Sequence, residues 1–330
     1  DNTYSITDSA TNLAASSNAV LTLASSVTAN TNATKAEADT IAEFEKAVTY
    51  DISDTALAIS GGSAGGRSEA RDIVATTAAT VAQATTISTS GNSGSRTFSI
   101  SDGPTEMAAA SNDLLSQATS VTTTGTVNQS QADTIAALAT AVVYNISDTA
   151  AAIHGGSAAG RNEAVNISAT TSATIVQATT IDGAGNSGTR TFNIDDTAAA
   201  IAASSNEFIS KAGTVTVNDT ANKSQANTIG DYAKAVSFSI SDNAGNVSTI
   251  NSSALNEAVN ITVTGTATIA QAKIIDDATN SGTNSYNIND TANNIFLGDS
   301  VAIIAAGTVT ASNATNVAQA NRISGFSKAV

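Results

Sequence analysis

The 330-residue chain has no cysteine, no tryptophan, one proline, one methionine and one histidine. Without cysteine there is no disulfide framework and no thiolate metal site. Aromatic residues make up only 4%, too few large side chains for the cores of two or three ordinary globular domains. Basic residues are scarce as well: 13 Lys and Arg against 28 Asp and Glu leave a formal charge of −15 and a pI near 4.2. The 13 stand singly, so the basic patch of a nucleic-acid binder and the juxtamembrane cluster of an anionic-lipid binder are both missing. No run approaches the roughly 18 apolar residues that a membrane-spanning helix needs. No signal peptide is visible, because the opening "DNTYSITDSA" already lies inside a repeat. That start predicts a window of a longer chain.

What the sequence does have is repetition. "AVTYDISDTALAISGGSAGGRSEA" at 47–70 returns as "AVVYNISDTAAAIHGGSAAGRNEA" at 141–164. Three blocks of 94 residues, 48–141, 142–235 and 236–329, align without a gap, 2–47 form a half block of two units, and Val330 opens the next strand. Each block divides into four units of 23, 25, 23 and 23 residues, fourteen along the chain, alternating between two types. The 41% hydrophobic content is too apolar for a disordered polar tract. A narrow, elongated core is expected.

First-type units carry three ladders. The aromatic ladder is Tyr4, Tyr50, Phe98, Tyr144, Phe192, Phe238 and Tyr286. Two residues on stand Ile6, Ile52, Ile100, Ile146, Ile194, Ile240 and Ile288, and two further Asp8, Asp54, Asp102, Asp148, Asp196, Asp242 and Asp290. Second-type units have Val or Ile in the strand, such as Val27, Ile73 and Val121, and an "AQAxxI" core ending at Ile41, Ile87, Ile135, Ile181, Ile229, Ile275 and Ile323.

"VTYDISD" and "GTVTVND" alternate apolar and polar residues, as a strand with one buried face does. Asp then predicts a helix N-cap, since its carboxylate accepts from the free N–H groups of a first turn. Pro104, two residues after Asp102, fits a first turn, where its missing N–H costs nothing. "Ser-Asn" and "Gly-Gly" interruptions split first-type helices into two short pieces. A unit this small cannot bury its apolar face alone, so neighbours must stack. The fold expected is an α/β repeat solenoid of about fourteen strand–helix units with a continuous, right-handed parallel β-sheet. An all-β solenoid is the alternative, because Thr and Ser are mediocre helix formers. Neither end shows the polar capping repeat a solenoid needs, which predicts more repeats of the same chain or self-association, end to end or laterally.

Features with chemical potential have bland readings beside them. His154 has counterparts Ala14, Ser60, Ala108, Ala202, Ser248 and Phe296, the variability of a rim position, and no base partner is evident. "GGSAGGR" (61–67) and "GGSAAGR" (155–161) superficially match phosphate-binding loops but lack the Lys and Ser/Thr of a P-loop; flexible turns are expected. The Asp ladder could bind Ca²⁺, yet capping N–H groups answer the same charge, so no cofactor is required. The nearest calcium candidates are Asp182 in "DGAGN", Asp242 in "DNAGN", and Asp276. Outward strand positions Thr49/Asp51, Thr97/Ser99, Ser120/Thr122, Thr191/Asn193, Thr214/Thr216 and Thr308/Thr310 form a Thr/Ser/Asn face interrupted by Val74. That face is the basis of an alternative function, a binding module for ice or a polysaccharide surface. Gln83, Gln131, Gln177, Gln225, Gln271 and Gln319, with Glu37 in the seventh place, suggest a stacked amide ladder.

The pairing of "ISDTAAAI" with "VTGTATIAQAKII" resembles the tandem-repeat arrays of giant secreted bacterial, cyanobacterial-type, cell-surface and adhesin proteins. The resemblance covers the whole chain. It implies an extracellular, structural, non-enzymatic role as a rigid segment of a fibre, coat or adhesin stalk, and it supplies no catalytic residue.

Overall fold

The computed structural model describes residues 4–326; Val330 and the outermost block boundaries at residues 2 and 329 lie outside them. Among the described residues, 17 short strands alternate with 21 short helices. The fold is therefore mixed α/β, and the all-β alternative does not hold. By Cα proximity the described residues form two compact units, one comprising 4–148 with 155–168 and 184–189, the other 149–154, 169–183 and 190–326.

In the first unit, Ser5–Asp8, Ser26–Ala29 and Val48–Thr49 make one sheet in chain order, and Ile52–Asp54, Ile73–Ala75 and Arg96–Thr97 make another. Ile100–Asp102, Val121–Val127 and Val143–Asp148 follow one another in a third. In the second unit, Ile194–Asp196, Val215–Ala221, Ser237–Asn243, Ile261–Ala267, Asn284–Asp290 and Val309–Ala311 form a six-stranded sheet, again in chain order. All these neighbours are parallel, with Cα partners such as Ile6↔Val27, Ile52↔Ile73, Ile100↔Val121 and Ile240↔Ile261. Each strand thus pairs with the strand of the next repeat unit, so one unit supplies one rung.

The sheet is not continuous as the sequence led us to expect. A second-type strand meets the following first-type strand in two registers: Val27 pairs with Val48, but Ala33 bridges to Ile52. Two surplus residues bulge between those contacts. Where the bulge keeps its pairing, at Thr122/Thr126, Thr216/Thr220 and Thr262/Thr266, the sheet runs on. Where it does not, only isolated bridges at Ala33, Ala79 and Ala173 remain. Gly125 and Gly265, in two of the bulges, have φ of 80° and 83°, a conformation that glycine adopts without penalty.

Inward side chains make the core. Ile52, Ile146 and Ile240 of the strands, and Ile59, Ile153, Ile87 and Ile181 of the helices, are buried. The tyrosines of the aromatic ladder share one hydrogen bond. Tyr4, Tyr50, Tyr144 and Tyr286 each donate the hydroxyl to the carbonyl sixteen residues on, at Val20, Gly66, Gly160 and Ala302, over 2.8–3.0 Å. At the Phe rungs that position is Leu114, Phe208 or Ala254, and Phe192 stacks on Phe208 with centroids 6.2 Å apart. Burial, with the charges of Glu163 and Asp133 behind it, pushes the Tyr144 hydroxyl pKa up. Tyr144→Phe strands the Gly160 carbonyl and should destabilise by about 1–2 kcal/mol, read from a denaturant midpoint.

Candidate functional site

The invariant Asp ladder is the chain's most regular polar feature, and the structure moves its role. The N-cap of each first-type helix is the next residue: Ser9, Thr55, Thr197, Asn243 and Thr291 each accept from the N3 N–H. The Asp stands one place earlier. Its Oδ1 accepts the following N–H, as at Thr55 (2.7 Å), Gly103 (2.8 Å) and Thr291 (2.7 Å). Its Oδ2 caps a different helix, that of the preceding unit. Lys35, Val81, Gln129, Ile175, Lys223 and Ile269, each the first residue of its helix, donate N–H to Asp54, Asp102, Asp148, Asp196, Asp242 and Asp290 over 2.8–3.0 Å. One carboxylate therefore ties two units together.

The reverse cap also exists. Ala10, Ala56, Ala150, Ala198 and Ala292, first residues of first-type helices, donate N–H to Thr31, Thr77, Thr171, Asp219 and Asn313, each 21 residues on. Pro104 has no N–H to offer, and the residue at that spacing is Gly125, which has no side chain. Sequence reasoning missed this row, although its fixed spacing was visible. It also missed a third row on the outward sheet face. Asp72, Asn166, Asn193, Asn260 and Asn287 accept the N–H of Ser95, Thr189, Thr214, Thr283 and Thr308 over 2.7–3.0 Å.

Burial of Asp242 and Asp290 would raise their pKa values, but the donors from Lys223, Asn246 and Asn243, and from Ile269, Asn294 and Thr291, outweigh it and hold both below the usual carboxylate range. A depressed folded pKa means that the unfolded chain takes up the proton first. Stability should be full above the ordinary carboxylate value of about 3.9 and fall as pH drops through it towards the lower folded values. Thermal melts from neutral to acidic pH check the sign. Asp242→Ala removes the acceptor for four donor groups on three residues and should cost about 1–2 kcal/mol, with Asp242→Asn costing less.

The glycine motifs are turns, but filled ones. Helix Ala56–Gly61 ends at Gly62, and Ser63 caps Ala64–Ser68. Lys35, 2% exposed, forms an ion pair with Asp39, and Asp39 accepts from the Ser63 hydroxyl at 2.6 Å. A Cβ on Gly62 would lie 2.7 Å from both Lys35 Cε and Asp39 Oδ2, and one on Gly66 would lie 3.0 Å from the Asp39 backbone nitrogen. Arg67 donates to the Gly62 carbonyl at 2.6 Å. In "GGSAAGR", Gln129 and Asp133 replace Lys35 and Asp39, and Ser157 and Arg161 repeat the remaining bonds. Gly62 and Gly66 permit close approach between units, so the turn expected here also packs against its neighbour.

No family model, curated protein or solved structure matches this chain. Asp182 pairs with Lys211 at 2.9 Å, Asp276 Oδ1 lies 3.1 Å from the Tyr286 hydroxyl oxygen, and Asp242 serves the caps, so the three calcium candidates are not brought together. Among the described residues no group of three His, Cys, Asp or Glu gathers as a metal site. His154 is exposed, with Nδ1 2.7 Å from the Thr180 hydroxyl. The Gln row is no stacked ladder: Gln83, Gln131, Gln177, Gln225, Gln271 and Gln319 each fold back in a capping box, as does Glu37, because the N-cap N–H is the nearest free donor. Outward threonines do align, as Thr7↔Thr28↔Thr49.

Proposed function

We propose that this chain is a mechanical repeat segment of an extracellular fibre, surface coat or adhesin stalk, with its fourteen strand–helix units wound into one solenoid. The observation that carries the reading is reciprocal capping: helix starts of one unit are completed by side chains of the next. Carboxylates, amides and hydroxyls that would serve chemistry in an enzyme here bond units to one another. The acidic, cysteine-free composition and the resemblance to secreted repeat arrays support an extracellular setting. Stiffness follows from the same bonds, since bending must stretch parallel-strand ladders and caps together.

Two measurements test this. Chains of one, two and three 94-residue blocks should grow in maximum dimension by about 19 Å per block, four strand spacings of roughly 4.8 Å, in small-angle scattering. Growth as the cube root of mass would contradict the solenoid. Antibodies raised against the chain should label intact, unpermeabilised cells of the producing organism; labelling only after permeabilisation would overturn the location.

A further inference from the structure

One seat recurs at Lys35, Gln129 and Lys223, and its third occurrence changes what fills it. At the first, the lysine lies against Gly62 and Gly66, where a Cβ would come within 2.7 Å of its Cε and 2.8 Å of its Nζ. Its ammonium pairs with Asp39, four residues on along the same helix face. At the second, Gln129 replaces the lysine and donates to Asp133 at 2.7 Å. At the third the lysine returns as Lys223, but Asn227 stands where the acid was, and Ile250 and Ala254 stand where the glycines were. Ile250 is 6% and Ala254 0% exposed, so apolar side chains fill the seat.

Lys223 turns outward instead. Its Nζ donates to the Thr249 hydroxyl at 2.8 Å, in an open cleft of about 590 Å³ lined by Asn222, Lys223, Ser224, Asn227, Asp242 and Asn246. Further strand–helix units flank this cleft on both sides. Unused donors gather there. Nζ has N–H groups beyond the Thr249 bond, and Asn222 Nδ2, Asn227 Nδ2 and the Ser224 hydroxyl have no acceptor among the described residues. The Oδ1 atoms of Asn222 and Asn227 are already taken, by the N–H groups of Gln225 and Asn251.

Asp242 is the one carboxylate in the lining, and donors hold both its oxygens: Lys223 N–H on Oδ2, and Asn243 and Asn246 on Oδ1. Lys223 and Asp242 together are neutral. At the first seat Lys35 sits with Asp39 and with Asp54, which accepts its N–H, one negative charge more.

We propose that the Lys223 cleft binds a ligand carboxylate, which takes the place beside Lys223 and Asn227 that Asp39 holds beside Lys35. Asp39 shows the chemistry within the same chain: one carboxylate accepts from the lysine ammonium and from the N–H and hydroxyl of Ser63. A single added negative charge restores the balance of the first seat. The site goes beyond the mechanical role and does not depend on it.

Backbone amide NMR of the 330-residue chain tests it, in titrations with sodium acetate and with trigalacturonate at an ionic strength held constant with sodium chloride. Both should give saturable shifts at residues 222–227 and at Asn246. Lys223→Gln, a residue the fold already accepts at Gln129, should weaken binding about tenfold or more, the weight of a charge-assisted hydrogen bond. Asn227→Asp returns the internal carboxylate of Asp39 and should abolish binding by occupying the lysine. Tighter binding per carboxylate of trigalacturonate than of acetate assigns the ligand to acidic polysaccharide, and binding no tighter assigns it to small acids. No saturable shift with either ligand overturns the proposal. So does binding that is unchanged in Asn227→Asp, since the ligand would then not be held where Asp39 sits.

Discussion

Ile146→Asp should destabilise its rung by at least about 4 kcal/mol, among the largest losses a single substitution causes. Ile146 is 1% exposed, pairs with Val127 across the sheet, and donates its N–H to the Asn166 carbonyl at 2.8 Å. Aspartate removes the buried side chain, worth about 2–5 kcal/mol in large-to-small core changes, and leaves a carboxylate without a buried partner. Because each rung is completed by its neighbours, the damage should spread. Hydrogen exchange should show lost protection in Val121–Val127 as well as Val143–Asp148. A loss below about 1 kcal/mol would mean that the isoleucine ladder is not the core.

The second large effect comes from adding atoms. Gly230 ends helix Lys223–Gly230, and a Cβ there would lie 2.6 Å from Ala254 Cβ and 2.7 Å from its Cα. Gly230→Val should cost about 3 kcal/mol by overpacking. The repeat shows how the site is balanced. At the positions equivalent to Gly230 and Ala254, the two earlier repeats have Ala42 with Gly66 and Ala136 with Gly160, the same two residue types exchanged. Only one of the two positions carries a methyl. Gly230→Ala combined with Ala254→Gly should therefore restore most of the stability that Gly230→Ala loses, in a denaturant-based double-mutant cycle. Additive losses would contradict the facing-pair account.

What could be read from the sequence was what repeats within a unit. Alternation marked the strands, the Ile and aromatic rows marked the core, and "Ser-Asn" and "Gly-Gly" marked the breaks that give two short helices, as in Ala56–Gly61 and Ala64–Ser68. What could not be read depends on the next unit. In "Asp-Thr-Ala" both Asp and Thr are good N-caps, and local preference does not choose between them. Stacking does, by placing a second helix start against the Asp54 carboxylate. Gly62, Gly66 and Gly230 look like turn or helix-end glycines until the side chain that each would strike is placed from a neighbouring unit. The interrupted sheet has the same origin, since the two-residue bulge between Thr28 and Ala33 is visible only as a difference between two pairing registers. The Gln row misled for the opposite reason: an equal spacing suggested contact between units, but a capping box within each helix satisfies the amide first.

One strand–helix unit supplies one rung. In a chain without cysteine, a pair of introduced thiols tests it directly. Thr28 and Thr49 are Cα partners on neighbouring strands, and a strand spacing of about 4.8 Å falls within disulfide reach. Thr28→Cys with Thr49→Cys should oxidise readily in the native chain, while Thr28→Cys with Val74→Cys, the residue one full two-unit period on, should stay reduced. Disulfide formation in the second pair and not the first would mean two units per turn, and would contradict the account.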